Sequence, residues 1–271
     1  MKNIVLIAFC ALITNLGFSQ TREAKQTAKQ QKREEKQEKI KRLTMQEEEG
    51  AIIFQKQTVF GLKLNTDGYG AFVELGRMKT ARKSNLYSFE LGERKHPKEE
   101  KITSSAGSYL ANPYVYAKIN NFYYAKLGFA QQRLIGNKGN KNGVAISAIY
   151  GGGLSAGLIK PYYLKVSDAT SNAVKDVKYD NTNAAVFLSS PQLIYGATGF
   201  TKGFGEVKVK PGAFVKTAMR FDYGRYNELV SAVEVGLNVE VYGQKVQQLL
   251  LTKEKQLFFN AYAAIEFGRR K

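Results

Sequence analysis

Apolar and polar residues alternate with a period of two over most of the chain beyond Ala51, and the longest unbroken stretch is Gly143–Val166, GVAISAIYGGGLSAGLIKPYYLKV. One set of its positions holds Val144, Ile146, Ala148, Tyr150, Leu154, Ala156 and Leu158; the other holds Ala145, Ser147, Gly151, Gly153, Ser155 and Gly157. Successive strand side chains point to opposite faces, so one face is apolar and the other small and polar. A soluble sheet with one core face gives the same alternation. Length separates the two, because ordinary strands run about 5 to 6 residues and a tilted membrane strand needs roughly 9 to 11. The stretch is therefore expected to be a transmembrane strand, its glycines making room for larger charged side chains inside a barrel.

The same period recurs in order along the chain, separated by turn signals. Phe60, Leu62 and Leu64 are followed by the turn Asn65-Thr66-Asp67-Gly68; Tyr69, Ala71, Val73 and Leu75 come next, then Tyr87, Phe89 and Leu91. A run near Tyr109 to Ile119 and one from Tyr123 to Phe129 precede the long stretch. A weaker candidate, Val186 to Tyr195, is interrupted by Pro191. Val215–Phe221, Val233–Val241 and Phe259–Phe267 complete the set. Both termini of a bacterial barrel lie in the periplasm, which requires an even strand number. Ten strands are favoured, with eight as the alternative. On the ten-strand count the loops after Asn65, Gly92, Arg133, Tyr195 and Gly243 face outward. Ser167 to Ala185 is then long where a turn should be short, and Lys160-Pro161-Tyr162-Tyr163 forms a border on the periplasmic side.

Charge sorts by face. The inner positions collect Lys63, Glu74, Glu90, Lys118, Lys126, Lys216, Arg220, Asp222, Glu234, Glu240 and Glu266, and the apolar sets carry no charge mid-strand. A Lys or Arg facing lipid near the bilayer centre costs about 2 to 4 kcal/mol, which explains such a separation. An eight-stranded barrel is only wide enough for side chains to fill, and ten strands make it modestly wider, so these charges should pair across a plugged lumen. The competing architecture is a soluble barrel or sandwich with its charges outside; that protein would stay soluble without detergent.

The N-terminus begins Met1-Lys2-Asn3, continues with a mostly apolar run from Ile4 to Phe18, and places Gly17 and Ser19 three and one residues before a cut at Gln20. Residues 1–19 are expected to be a cleaved secretory signal peptide; an uncleaved N-terminal helix is the alternative. Cys10 is the single cysteine and falls in that run, leaving a mature chain without disulfides or thiolate metal sites. No later segment approaches the roughly 18 apolar residues of a membrane helix. A closed barrel is then the only way to cross a bilayer with every backbone group paired. Residues 20–50 are rich in Lys, Arg, Glu and Gln, with Glu35–Lys39 and Glu38–Arg42 at helical spacing. They are expected to form a solvated periplasmic helix, acting as a spacer or as a docking segment for an envelope partner, and residues 51–271 to form the barrel. The net charge of +18 would suggest nucleic acid in the cytosol. Export removes that partner and substitutes outer-membrane lipids, lipopolysaccharide phosphates or acidic proteins.

Little reactive chemistry is present. Gly153-Leu154-Ser155-Ala156-Gly157 matches the G-x-S-x-G nucleophile elbow, but that motif needs a strand-to-helix turn and here lies inside an alternating strand. His96, the single histidine, follows Arg94 and Lys95 and precedes Lys98 in a basic loop, a candidate contact for an anionic surface. No cofactor is implied, and the usual zinc patterns are excluded by one His and no mature Cys.

The signal ending Phe18-Ser19-Gln20, the run Gly-Tyr-Gly-Ala-Phe-Val-Glu at 68–74 and the closing Tyr-Ala-Ala-Ile-Glu-Phe-Gly-Arg-Arg at 262–270 resemble small outer-membrane β-barrel proteins of diderm bacteria. The resemblance covers Ala51 to the end. Such barrels usually finish on an aromatic residue, whereas Phe267 is followed by Gly268-Arg269-Arg270-Lys271. The resemblance implies an all-β antiparallel transmembrane barrel in the outer membrane. The family includes structural proteins, transport components, adhesins and a few lipid enzymes. The expected function is non-enzymatic, a structural or accessory subunit of a cell-envelope complex. A narrow channel or solute-binding barrel is the alternative, and a lipid-modifying hydrolase using His96 is a further one.

Overall fold

The computed structural model describes residues 30–38, 54–103, 113–138, 143–167, 173–188, 194–226 and 228–271. The chain divides into two units, residues 1–53 and 54–271. In the first, residues 30–38 form an exposed helix, α1. The expected signal peptide and most of the 20–50 segment lie outside the described residues.

The second unit is built on long antiparallel strands: β1 Lys56–Asn65, β2 Gly68–Thr80, β3 Lys83–Arg94, β6 Asn120–Gly136, β7 Ala145–Pro161, β11 Lys208–Asp222, β12 Leu229–Val246 and β13 Lys255–Arg270. They close into a barrel in the order β1-β13-β12-β11-β7-β6-β3-β2. The first and last strands seal it, with Gln57 opposite Arg270 and Asn65 opposite Tyr262, so no ladder group is left at an edge. Alternation along these strands is what the sequence pattern demands, but its polarity is inside-out for a protein in water. Leu64, Leu154 and Phe259 are 70%, 71% and 65% exposed, while Glu74, Glu234, Glu240 and Glu266 are fully buried. The wall is apolar outside and ionic inside, which describes a transmembrane barrel rather than the soluble sandwich.

Eight strands close the barrel, not the favoured ten. The run ending at Ile119 supplies only β5, Tyr114–Val115, which pairs with β4, Lys101–Ile102, and an isolated bridge from Lys118 to Leu249. Ala117 has φ of +53°, a left-handed conformation that turns the chain out of strand geometry. The weak candidate at 186–195 also leaves the wall. Its first residues belong to the short helix α2, Ala184–Phe187, preceded by a capping box between Asp180 and Asn183. Its end, β10 Ile194–Ala197, pairs instead with β8, Tyr163–Ser167, which in turn pairs with β9, Val174–Lys178.

The lower strand count reverses the sidedness of the chain from Asn120 to Ala185, while the loops after Tyr195 and Gly243 stay on the outer side as expected. The connections β2–β3, β6–β7 and β11–β12 and both ends of the barrel share one rim. The connections Asn65–Gly68, Arg94–Asn120, Pro161–Lys208 and Val246–Lys255 share the other. Short turns and termini mark the periplasmic side of such barrels and long loops the outside. The 136–145 loop is therefore periplasmic, and the Ser167–Ala185 segment and the Lys160–Tyr163 border are external, opposite to the ten-strand expectation. This placement removes the anomaly of a long periplasmic turn. The long connection carries the β8-β9-β10 sheet, whose core of Leu164, Phe187 and Ile194 also takes in Tyr114. Backbone N–H of Val115 donates to Tyr162 Oη at 3.1 Å, tying the two long loops together.

The glycines of β7 serve a different purpose from the one expected. A Cβ on Gly153 would sit 2.0 Å from the Leu127 carbonyl oxygen of β6, and one on Gly157 would meet the rings of Phe122 and Tyr242 at 3.0 Å. They let a neighbouring backbone and lumenal aromatic rings approach, rather than charged groups.

Leu154 faces Leu127 across β6–β7 in the apolar outer wall. L154R is expected to lose about 2 to 4 kcal/mol of folding free energy in lipid, measured by denaturant titration of barrels folded into vesicles. An unchanged midpoint would place this wall in water.

Candidate functional site

The barrel interior is the one place where the described residues concentrate chemistry. Arg220 of β11 is its hub. Its Nη1 and Nη2 donate to Glu74 Oε1 and Oε2 at 2.8 and 3.0 Å, a bidentate pair. Nη2 also reaches Glu234 at 2.8 Å and Glu266 at 3.0 Å. Glu234 lies directly opposite Arg220 in the β11–β12 register, whereas Glu74 is on β2, four strands away in either direction around the barrel. That guanidinium–carboxylate pair thus spans the full width of the lumen. Lys216 lies 3.8 Å from Glu234, and Tyr262 Oη donates to Glu234 at 2.6 Å.

A second layer lies toward the long-loop end. Lys63 donates to Glu90 at 2.6 Å, and Lys126, opposite Glu90 in the β3–β6 register, donates to it at 3.3 Å. Tyr124 Oη also donates to Glu90, at 3.0 Å. Lys126 and Arg94 both pair with Glu240 of β12, and Tyr242 Oη donates to Glu240 at 2.8 Å. Arg94 at the end of β3 is again diametrically opposite its β12 partner and also pairs with Asp67 of the β1–β2 turn. Rings line these cations: Lys63 Nζ is 4.1 Å from the Tyr262 centroid and Lys126 Nζ 4.2 Å from that of Tyr124. At the periplasmic end Asp222 pairs with Arg270 and lies 3.6 Å from Lys138. At the outer end Lys118 pairs with Glu99 at 2.9 Å.

All eleven residues assigned by parity to the inner face are buried. Ten lie on barrel strands; Lys118 does not, and is buried beneath the loops near Leu249. With their partners they form a formally neutral set. Lys63, Arg94, Lys118, Lys126, Lys138, Lys216, Arg220 and Arg270 meet Asp67, Glu74, Glu90, Glu99, Asp222, Glu234, Glu240 and Glu266. The sequence reasoning missed Arg94 and Arg270 although the signal was there. Glu90-Gly92-Arg94 and Glu266-Gly268-Arg270 keep the inner parity to the end of each strand. Asp67, in a turn, carried no such signal.

The architecture is a closed eight-stranded antiparallel barrel, apolar outside and ionic within. Neisserial surface protein A is similar over 80% of this chain and 96% of its own, at 8% identity and a TM-score of 0.36. Ail, the attachment invasion locus protein of Yersinia pestis, is similar over 81% and 100% at 8% identity and 0.36. The N-terminal barrel domain of Pseudomonas aeruginosa OprF follows over 79% and 98% at 9% identity and 0.34. The likeness is one of fold. No protein-family model and no curated protein matches the chain.

The basic loop of the barrel divides. Arg94 points into the lumen and is 1% exposed, so it is withdrawn from the expected anionic-surface contact; desolvation is offset there by two carboxylates. Lys95 and Lys98 remain exposed, with Lys95 Nζ 5.0 Å from the Tyr69 centroid. His96 is part-buried in a tight turn. Its backbone N–H donates to Glu99 Oε1 at 3.1 Å, and its Nδ1 accepts from the Lys98 N–H at 3.2 Å. Ser155 of the G-x-S-x-G match is buried in the lumen wall, laddered to Lys126 and Gly212 on either side, without the turn that exposes a nucleophile. Among the described residues no cluster of His, Cys, Asp and Glu could hold a metal ion.

Burial, then Lys255, holds His96 below the ordinary imidazole range, with Glu99 opposing and Lys98 adding to the effect. A depressed folded pKa contributes stability that is complete above the unfolded value of about 6.5 and lost as pH falls through the folded one. Hydrogen exchange across 94–101, corrected for intrinsic rates, is expected to show less protection at pH 5 than at pH 8. H96N should flatten that difference.

Proposed function

We propose that this chain is a non-enzymatic outer-membrane barrel with a sealed lumen, serving as a structural or accessory subunit of a cell-envelope complex. The observation that carries the proposal is the Glu74–Arg220 pair, which joins opposite walls at hydrogen-bond distance. A barrel of this width leaves room only for side chains, and here they are locked to one another. In this proposal residues 1–19 are removed on export, and the charged segment 20–50 lies in the periplasm as a docking helix for an envelope partner. Lys95 and Lys98 then face lipopolysaccharide phosphates on the outer side. Nucleic acid and cofactors have no part in it.

Purified barrel in planar bilayers is expected to stay silent; discrete conductance steps would favour a narrow channel and sink the sealed lumen. Partners cross-linked in the outer membrane should be lost on deletion of residues 21–49. A lone monomer whose partners are unaffected by that deletion would count against the accessory role.

Arg220 supplies the direct energetic check. R220M leaves Glu74, Glu234 and Glu266 without their shared cation, a loss expected to cost about 3 to 5 kcal/mol. Adding E74Q, E234Q and E266Q to R220M should recover much of it, since removing both signs is far cheaper than orphaning one. Denaturant midpoints in vesicles read both effects.

A further inference from the structure

At the periplasmic end of the outer wall, the charge carried by the strands is gathered on one side. At the periplasmic rim the exposed cations Lys56, Arg77, Lys79, Lys83, Arg133 and Arg269 lie on β1, β2, β3, β6 and β13. These are consecutive strands in the barrel order. The register pairs four of the cations, Lys56 opposite Arg77 and Lys83 opposite Arg133, and sets Arg269 opposite Thr58, two residues from Lys56 on β1. At the ends of the remaining strands the same level holds Tyr223 and Leu229, 47% and 40% exposed, and the β11–β12 turn carries the exposed Arg225 together with the exposed Glu228. Among the described residues, none of the six cations has a carboxylate within ion-pair distance, and the only exposed acid at this rim is Glu228.

Strand parity decides where these side chains point. Arg77 follows outward-facing Val73 and Leu75, and Arg269 follows outward-facing Ile265 and Phe267. Two residues of strand rise about 7 Å, so the guanidinium groups begin directly below the apolar belt and aim sideways, away from the barrel axis. Groups placed there meet lipid headgroups before they meet a periplasmic polymer. Arginine pairs bidentately with phosphate, and polybasic clusters beside a membrane-spanning segment favour anionic lipids. Phosphate is common to all phospholipids, but six uncompensated cations discriminate by the net charge of the headgroup.

We propose that this one-sided basic girdle selects acidic phospholipids of the periplasmic leaflet, gathering them against the β13-β1-β2-β3-β6 face. The proposal depends on the orientation of the barrel and not on a sealed lumen; a conducting barrel would leave it standing.

The test uses the full chain in mild detergent, offered equal amounts of phosphatidylglycerol and phosphatidylethanolamine, with bound lipids counted by native mass spectrometry. Phosphatidylglycerol is expected in clear excess. The excess should collapse as ammonium acetate approaches about 1 M, where the screening length is about 3 Å. R77Q/K79Q/K83Q/R133Q is expected to lower the preference roughly ten-fold, while K101Q/K245Q/K253Q/K255Q at the outer rim should keep it. Equal binding of the two lipids, or a preference that survives in the girdle variant, overturns the proposal. So does an equal loss in both variants, which would make the effect one of net charge. Should the girdle variant fail to fold, a photoactivatable phosphatidylglycerol on the wild-type barrel decides. Cross-links should map to β2 and β3 rather than to β11 and β12, and the reverse or an even distribution refutes the girdle.

Discussion

Burying charge inside a narrow barrel is the constraint on which this structure depends. A carboxylate or ammonium taken from water into a low-dielectric interior costs several kcal/mol, and only close, hydrogen-bonded partners of opposite sign recover it. The lumen meets that demand with a formally neutral set of cations and anions joined in layers, Arg220 contacting three carboxylates and Glu240 contacting two cations. Because Glu74 and Arg220 stand on opposite walls, the ion pairs act as cross-braces. The barrel is held from inside by electrostatics and outside by lipid, with closure removing every free edge.

The braces require closely matched space. Lumenal glycines give room to rings as well as to backbone: Gly61 would clash with Phe72 and Gly236 with Tyr262 if either carried a Cβ. The Phe72 and Tyr262 rings lie against the ammonium group of Lys63, as the Tyr124 ring does against that of Lys126. Tyrosine suits the position, since Tyr124, Tyr242 and Tyr262 each offer an apolar face to the packing and a hydroxyl to a carboxylate.

The two rims are built for different surroundings. The outer one carries a small folded module with its own core, tied to the barrel mouth through Ile119, Gln248 and Arg94, whose carbonyl accepts from Gln248 Nε2 at 3.0 Å. On the wall just beneath it, Lys160 is buried below Phe200 and Phe204, its Nζ 4.5 Å from both ring centroids, where a bare outward lysine would meet lipid. The periplasmic rim has short turns and outward-facing cations on five neighbouring strands.

The chain alone determined which residues share a face. Side-chain parity is a local property of extended backbone, so the belt of Leu62, Leu154 and Phe259 and the inner set from Lys63 to Glu266 could be sorted without knowing the fold. Parity also carried Arg94 and Arg270 inward, a signal obscured only because both sit where a strand gives way to a loop or tail. Strand number was not legible in the same way. The six residues from Tyr114 to Ile119 alternate convincingly, and a single left-handed Ala117, invisible in composition, takes them out of the wall. Sidedness followed from that count, so two misplaced strands reversed the border at Lys160–Tyr163. Only the tertiary structure decided which charges meet. Partners such as Glu74 and Arg220 are separated by 146 positions, and they are joined by barrel closure and strand register, which fix distances across the lumen that no local pattern encodes.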